Sequence, residues 1–206
     1  MTVAGIERAD LSKEAFEAFA AADRVAWDIE TSGLDWRIER IGTCQLHAPS
    51  VGTAIVQVGA GVPERLKTLL MSRHVLKVFH HAPFDLRFMA SHWKVRVKNV
   101  ACTKVASRIL DPNAPDSQHS LQSLLNRRLG VQISKEQRLS NWTVDSLTAA
   151  QVAYASQDVE HLLPLYDDLC VCLDDAGFRE LYDDCCSFLP GRVQLELGSW
   201  PDVFAY

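Results

Sequence analysis

Two carboxylates set two residues apart, Asp28 and Glu30 in Val25-Ala26-Trp27-Asp28-Ile29-Glu30-Thr31, are the side chains of this sequence best placed to do chemistry. The apolar run before Asp28 reads as a buried strand, and on a strand residues i and i+2 share a face. Like charges held that close repel unless something cationic sits between them. A divalent metal is the simplest such cation, because hard ions such as Mg²⁺ prefer carboxylate oxygen. Taken alone, the pair also fits two solvated acids at a strand end.

A third carboxylate, Asp85, follows an apolar strand in Val78-Phe79-His80-His81-Ala82-Pro83-Phe84-Asp85-Leu86. It falls in the first turn of a helix, where the helix dipole favours an acid for structural reasons as well. Tyr154 and Asp158, in Tyr154-Ala155-Ser156-Gln157-Asp158, stand at i and i+4. They share one helix face, which can bring a phenol and a carboxylate to one point. The plainer alternative is a half-buried tyrosine beside an exposed acid.

In chain order the pattern is D-x-E, then Asp, then Y-x-x-x-D. It resembles the DEDD 3′–5′ exonuclease superfamily, in its tyrosine-containing branch with the RNase H-like fold. The resemblance implies that Asp28, Glu30, Asp85 and Asp158 hold two divalent metal ions, Mg²⁺ or Mn²⁺. It also implies that Tyr154 orients the attacking water. Two metals can clamp an in-line displacement at phosphorus, and several carboxylates balance their charge. An ordinary tyrosine pKa of about 10 casts Tyr154 as a hydrogen-bonding positioner rather than a general base.

Within that branch the chain resembles the ribonuclease D group, and above all the compact NrnC-type nanoRNases that cleave dinucleotides at the end of RNA decay. Cys102 to Arg108, Ile133 to Gln137 with Trp142, and Phe188 to Arg192 carry this finer likeness. It implies one exonuclease domain over 1–206, with about 180–206 as a tail available for oligomerisation. It further implies a cytoplasmic homo-oligomer acting on short single-stranded RNA. Leu34 would wedge between two bases, or else tuck into the core as a turn residue. His80 would contact ribose or phosphate, or be a satisfied buried histidine. Lys135, Gln137, Arg138 and Ser140 would bind a terminal 5′ phosphate, a charge that Arg and Lys suit, or form a solvated loop. Trp27 replaces a smaller apolar residue of the family, on the strand face away from the carboxylates. His81, Pro83 and Arg138-Leu139 are further local departures. Two other functions fit the same frame: ribonuclease D-like trimming of longer RNA or single-stranded DNA, and a silent RNA-binding module. Loss of a metal ligand would mark the silent module, and all four acids are present.

The elements that must position these residues follow from periodicity and turn signals. Helices are expected over Leu11–Ala22, Pro63–Met71, Pro83–His92, Thr103–Leu110 and Ser120–Leu129, with a loop at Asp111–Ser117. Strands are expected over Val25–Glu30, Ile41–His47, Ala54–Val58, Val75–Phe79 and Val97–Ala101. Leu147 to about Ala176 reads as one long helical stretch kinked or broken at Pro164. The apolar residues of Val193 to Tyr206 have no obvious long helix to bury them. Strands first and mainly helices afterwards predict an α/β fold with a mixed central sheet flanked by helices.

At 206 residues the chain can build one large domain with a substantial core. Its net charge of −5 and pI of about 5.8 argue against a broad, non-specific nucleic-acid binder. A small nucleic-acid substrate held by metals and a few local cations remains compatible. The N-terminus shows no signal-peptide pattern, and no apolar run is long enough to span a bilayer. The six cysteines follow neither a zinc nor a disulfide spacing and are expected to be reduced and buried.

Overall fold

Asp28 and Glu30 lie near the end of strand β2 (Arg24–Thr31), which occupies an interior place in a six-stranded mixed sheet. The computed structural model describes residues 3–205, with side chains from residue 6 onward. Strands β3 (Ile41–Ala48) and β4 (Gly52–Gln57) continue β2 as an antiparallel meander. Strand β1 (Val3–Arg8) runs parallel to β4 at one edge. On the other side β5 (Leu76–Phe79) and β6 (Val100–Cys102) run parallel, giving the order β1-β4-β3-β2-β5-β6. This is the expected mixed α/β sheet. The centre of β2 is buried: Val25, Ala26 and Trp27 have no exposed surface. Trp27 packs against Phe79 with ring centroids 6.3 Å apart.

Helix α1 (Lys13–Ala20) begins at Ser12, whose hydroxyl accepts from the Ala15 N–H. Helix α2 (Glu64–Met71) follows Pro63. Helix α3 (Ala82–Trp93) leaves β5 through His81, which takes a left-handed conformation with φ 64°. That conformation costs a non-glycine residue about 1 kcal/mol or more, and such strain tends to collect at functional sites. Helices α4 (Thr103–Leu110) and α5 (Leu121–Leu129) agree with expectation; Ser120 caps α5, and Gly130 closes it at φ 67°. Helices α6 (Ala149–Glu160), α7 (Leu162–Asp175) and α8 (Arg179–Leu197) complete the fold.

Four expectations are corrected. β1 was not foreseen. Its pairing partner, β4, is remote in sequence, and strand formation follows pairing more than local composition. β6 begins at Val100 rather than Val97, after a left-handed residue at Asn99 (φ 50°). The stretch from Leu147 is two helices broken at His161, not at Pro164. Pro164 sits in the first turn of α7, where its missing N–H has no helical partner to lose. Finally, Val193–Leu197 is not bare tail but the end of the 19-residue α8, and Val193 is buried in the core. α8 packs on α3, α4 and β6. All six cysteines are free; Cys44, Cys102 and Cys186 are buried as expected, while Cys170, Cys172 and Cys185 are only half-buried. Among the described residues no helix is long and apolar enough to cross a membrane.

Candidate active site

Strand β2 carries Asp28 and Glu30 on one face, and α6 lays Asp158 across from them. One carboxylate oxygen from each of the three lies within 4.8 Å of the others. Asp85, in the first turn of α3, is buried at 2% exposure. Its Oδ1 accepts from the Ile29 backbone N–H at 3.2 Å, a bond that ties the start of α3 to β2 between the two strand acids. Four carboxylates from three elements therefore meet at the end of β2.

Their protonation reflects burial first and, for Asp28 and Glu30, crowding by neighbouring acids. Burial, then the charges of Asp85, Glu30 and Asp158, hold the Asp28 carboxyl well above the usual carboxylate range. Glu30 is pushed up to about 9 by burial, then by Asp158 and Asp85. Burial likewise holds Asp85 well above its ordinary value. Asp158 rises to about 7 through burial, opposed by the Tyr154 hydroxyl and by Lys135. Acids that suppress one another's ionisation need a cation to be charged together. The donor set is all hard oxygen, which fits divalent ions of the Mg²⁺ class.

Tyr154 is buried beside Asp158, and its own pKa is raised by burial and then by Asp158, Glu30 and Asp28. The phenol therefore keeps its proton and faces the acids as a donor. Its ring packs against Trp142 with centroids 5.8 Å apart. Helix α6 is started by a capping box: the Thr148 hydroxyl accepts from Gln151 N–H, and the Gln151 side chain accepts from Thr148 N–H. Gln151 Nε2 also donates to the Asn141 carbonyl at 3.0 Å, so α6 and the Trp142 segment are set together.

The expected substrate residues fall into three situations. Leu34 is 84% exposed at the tip of the β2–β3 loop and does not tuck into the core. That loop is fastened at its base, where Ser32 N–H donates to the Arg40 carbonyl and Arg40 N–H to the Ser32 hydroxyl, each at 3.0 Å. Lys135 and Arg138 are exposed, and both act on the site: Lys135 lowers Asp158, and Arg138 opposes the rise of Tyr154. Gln137 and Ser140 are half-buried and bonded to each other, Ser140 Oγ donating to Gln137 Oε1. His80 is engaged elsewhere. Its Nδ1 lies 2.9 Å from Thr103 Oγ1, and burial, then Lys104 and His81, push its pKa down to about 3, so the ring is neutral.

Two polar residues of β3, Thr43 and Gln45, escaped the sequence reading although both have no exposed surface and lie directly beside Glu30 and Asp28. The available signal was the alternation of Thr43, Gln45 and His47, which puts polar side chains on one face of β3.

Comparison with known proteins accounts for this arrangement. A family model described as 3′–5′ exonuclease matches residues 3–174. Brucella melitensis NrnC with bound Mg²⁺ is 31% identical, covering all of both chains, with a TM-score of 0.90. The same protein bound to pGG is 32% identical over 98% of this chain and 97% of that one, with a TM-score of 0.89. Escherichia coli RNase D shares the fold, with a TM-score of 0.82 at 22% identity over 94% of this chain and 51% of its own. Mouse exosome complex component 10 is 31% identical over 103 residues, half of this chain, and the match spans only 11% of that much longer relative. With the acids of three elements gathered at the end of β2 in an RNase H-like sheet, the chain belongs to the DEDD 3′–5′ exonuclease family, in the group that includes NrnC and ribonuclease D.

Proposed function

We propose that this exonuclease removes nucleotides from very short RNA, dinucleotides above all, releasing nucleoside 5′-monophosphates. The observation that carries the reading is the pairing of an exposed, fastened Leu34 with the Lys135 and Arg138 cations at the rim of the acid cluster. An apolar wedge supports two splayed bases. Cations at a fixed distance from the scissile bond can hold a 5′ phosphate and penalise a continuing chain. The pGG complex of the NrnC relative supports the same substrate class.

In this reading Asp28, Glu30, Asp85 and Asp158 hold two divalent ions, Mg²⁺ or Mn²⁺. When bound, the ions supply Lewis-acid stabilisation of the charge on the phosphate and on the leaving 3′ oxygen. Tyr154, kept protonated, orients the attacking water from the α6 side. The water oxygen bonds to phosphorus, the P–O3′ bond breaks, and the 3′ oxygen leaves as a hydroxyl. Leu34 separates the bases, while Lys135 and Arg138, with Gln137 and Ser140 beneath them, meet the 5′ phosphate. His80, engaged with Thr103, braces the turn that presents Asp85. The chain acts as one domain that assembles with copies of itself in the cytoplasm, through exposed apolar residues beyond α8.

The test is a length series of 5′-phosphorylated RNAs from two to about twenty nucleotides, with Mg²⁺ or Mn²⁺. A preference in kcat/KM for the dinucleotide of more than about tenfold, worth about 1.4 kcal/mol in transition-state binding, is expected. Equal kcat/KM across the series would instead assign the ribonuclease D-like trimming of longer chains. Activity that survives EDTA, or survives Asp28→Asn, would remove the metals from the reading.

A further inference from the structure

The two buried polar side chains of β3 have a role that the acids alone do not explain. In the register of the sheet, Gln45 lies opposite Asp28 and Thr43 opposite Glu30. Cross-strand partners on one face stand about 4.5–5.5 Å apart at Cβ, so the two pairs form one square of side chains. Gln45 Nε2 donates to Asp28 Oδ2 at 3.1 Å, and Thr43 Oγ1 donates to Gln45 Oε1 at 3.1 Å. We infer that Thr43 and Gln45 form a neutral relay that positions the Asp28 carboxylate for metal binding, with Gln45 as the positioning residue. The inference rests on Asp28 being a metal ligand, as proposed above.

The polarity of this relay is determined by chemistry. A carboxylate that holds a metal ion is ionised and only accepts hydrogen bonds, so in that state the amide must turn its N–H end to Asp28. Its carbonyl end then needs a donor, and the Thr43 hydroxyl supplies one. Neither side chain has any exposed surface, and a buried amide or hydroxyl is costly without such partners. Charge neutrality matters as much as geometry. A lysine or arginine at this place would satisfy Asp28 by itself and displace the metal; an amide fixes the plane of the carboxylate and leaves its charge available. The acids differ in how they are held. Asp85 leans on a backbone N–H, whereas Glu30 receives no hydrogen bond among the described residues. Asp28 is steadied by a side chain, which a substitution can remove.

Groups that orient metal ligands typically change metal affinity by about 10–100-fold when removed. Gln45→Met keeps the length and burial of the side chain and deletes the donor. Thr43→Val keeps the shape and deletes the hydroxyl, and Thr43→Ser keeps the hydroxyl. The readout is the Mn²⁺ dissociation constant from calorimetric titration without substrate, beside a metal-free melting curve. Gln45→Met is expected to weaken Mn²⁺ binding by about 10–100-fold with folding retained. Thr43→Val should weaken it in the same direction, and Thr43→Ser should restore it. Wild-type Mn²⁺ affinity in Gln45→Met, or equal affinities in the Val and Ser variants of Thr43, would overturn the relay. If Gln45→Met does not fold, the Thr43 pair decides by itself. Asp28→Asn separates the two layers of the argument: if it binds Mn²⁺ normally, the metal assignment of Asp28 fails. If it loses binding while the Gln45 and Thr43 variants bind normally, only the relay fails.

Discussion

Tyr154 shows how burial assigns a role to a single residue. A phenol surrounded by Asp158, Glu30 and Asp28 cannot give up its proton near neutral pH, because each neighbour raises its pKa further. It cannot act as a base; its O–H faces Asp158, and in the proposed reaction the hydroxyl helps to orient the attacking water by hydrogen bonding. Tyr154→Phe should therefore lower kcat by about 10²-fold and leave KM nearly unchanged. A steady-state comparison checks this, and an unchanged kcat would make Tyr154 a packing residue. The acids give a second expectation. Asp158 and Glu30 have ordinary values of 3.8 and 4.5 and rise to about 7 and about 9 in the fold. Without metal the folded protein then holds protons that the unfolded chain releases. The stability tied to these groups is full below about pH 4 and is lost as pH rises through 7 towards 9. Metal binding displaces those protons, so Mg²⁺ should raise the melting temperature more at about pH 9 than at about pH 6. A metal-induced shift that is the same at both pH values would contradict the raised values of these buried carboxylates.

At the scale of elements, the site depends on how closely β3 and the Trp142 segment approach. A Cβ on Gly42 would collide with the Trp142 carbonyl, and Trp142 in turn packs on Tyr154. Gly42→Ala is expected to cost about 1–3 kcal/mol in urea unfolding, as overpacking does, and to lower kcat by moving Tyr154. Leu34→Ala should affect catalysis without affecting the fold. The side chain is exposed, so stability should change by less than about 0.5 kcal/mol, while kcat/KM on a dinucleotide falls. A Leu34→Ala enzyme with undiminished dinucleotide cleavage would refute the wedge. These elements also show why some of the architecture could be read from the chain. Asp28-x-Glu30 and Tyr154-x-x-x-Asp158 are local patterns whose shared faces follow from strand and helix periods, and both do lie together in the structure. The Gln45–Asp28 bond was not readable, because it depends on the register of β2 against β3. α8 was half readable. Tyr182, Cys186, Leu189 and Val193 keep helical spacing and are all buried, but Pro190-Gly191 argues for a break. Packing on α3 and β6 overrides it, since Pro190 forfeits one backbone bond, to Cys186.

Over the whole molecule, charge and apolar surface pose two separate problems. A protein of net charge −5 with four acids in its site repels an RNA end unless metals and local cations intervene. That is consistent with a substrate small enough for Lys135 and Arg138 to serve. The second problem is the surface beyond α8. Trp200, Val203 and Phe204 are 61%, 50% and 74% exposed, and Phe204 meets Phe188 edge-on at 5.5 Å without covering it. Burying one large apolar side chain is worth about 1.5–3 kcal/mol, so a second copy covering this group would gain several such increments. The assembly expected in solution therefore has a mass that is a multiple of 23.0 kDa by light scattering at micromolar concentration. Trp200→Glu combined with Phe204→Glu places two charges in that surface and should return the protein to the monomer mass. Because these residues lie outside the acid cluster, the monomer should still bind Mn²⁺. A wild-type mass of 23.0 kDa would reject self-assembly. A multimer unaffected by the two charges would move the contact to another face of the molecule.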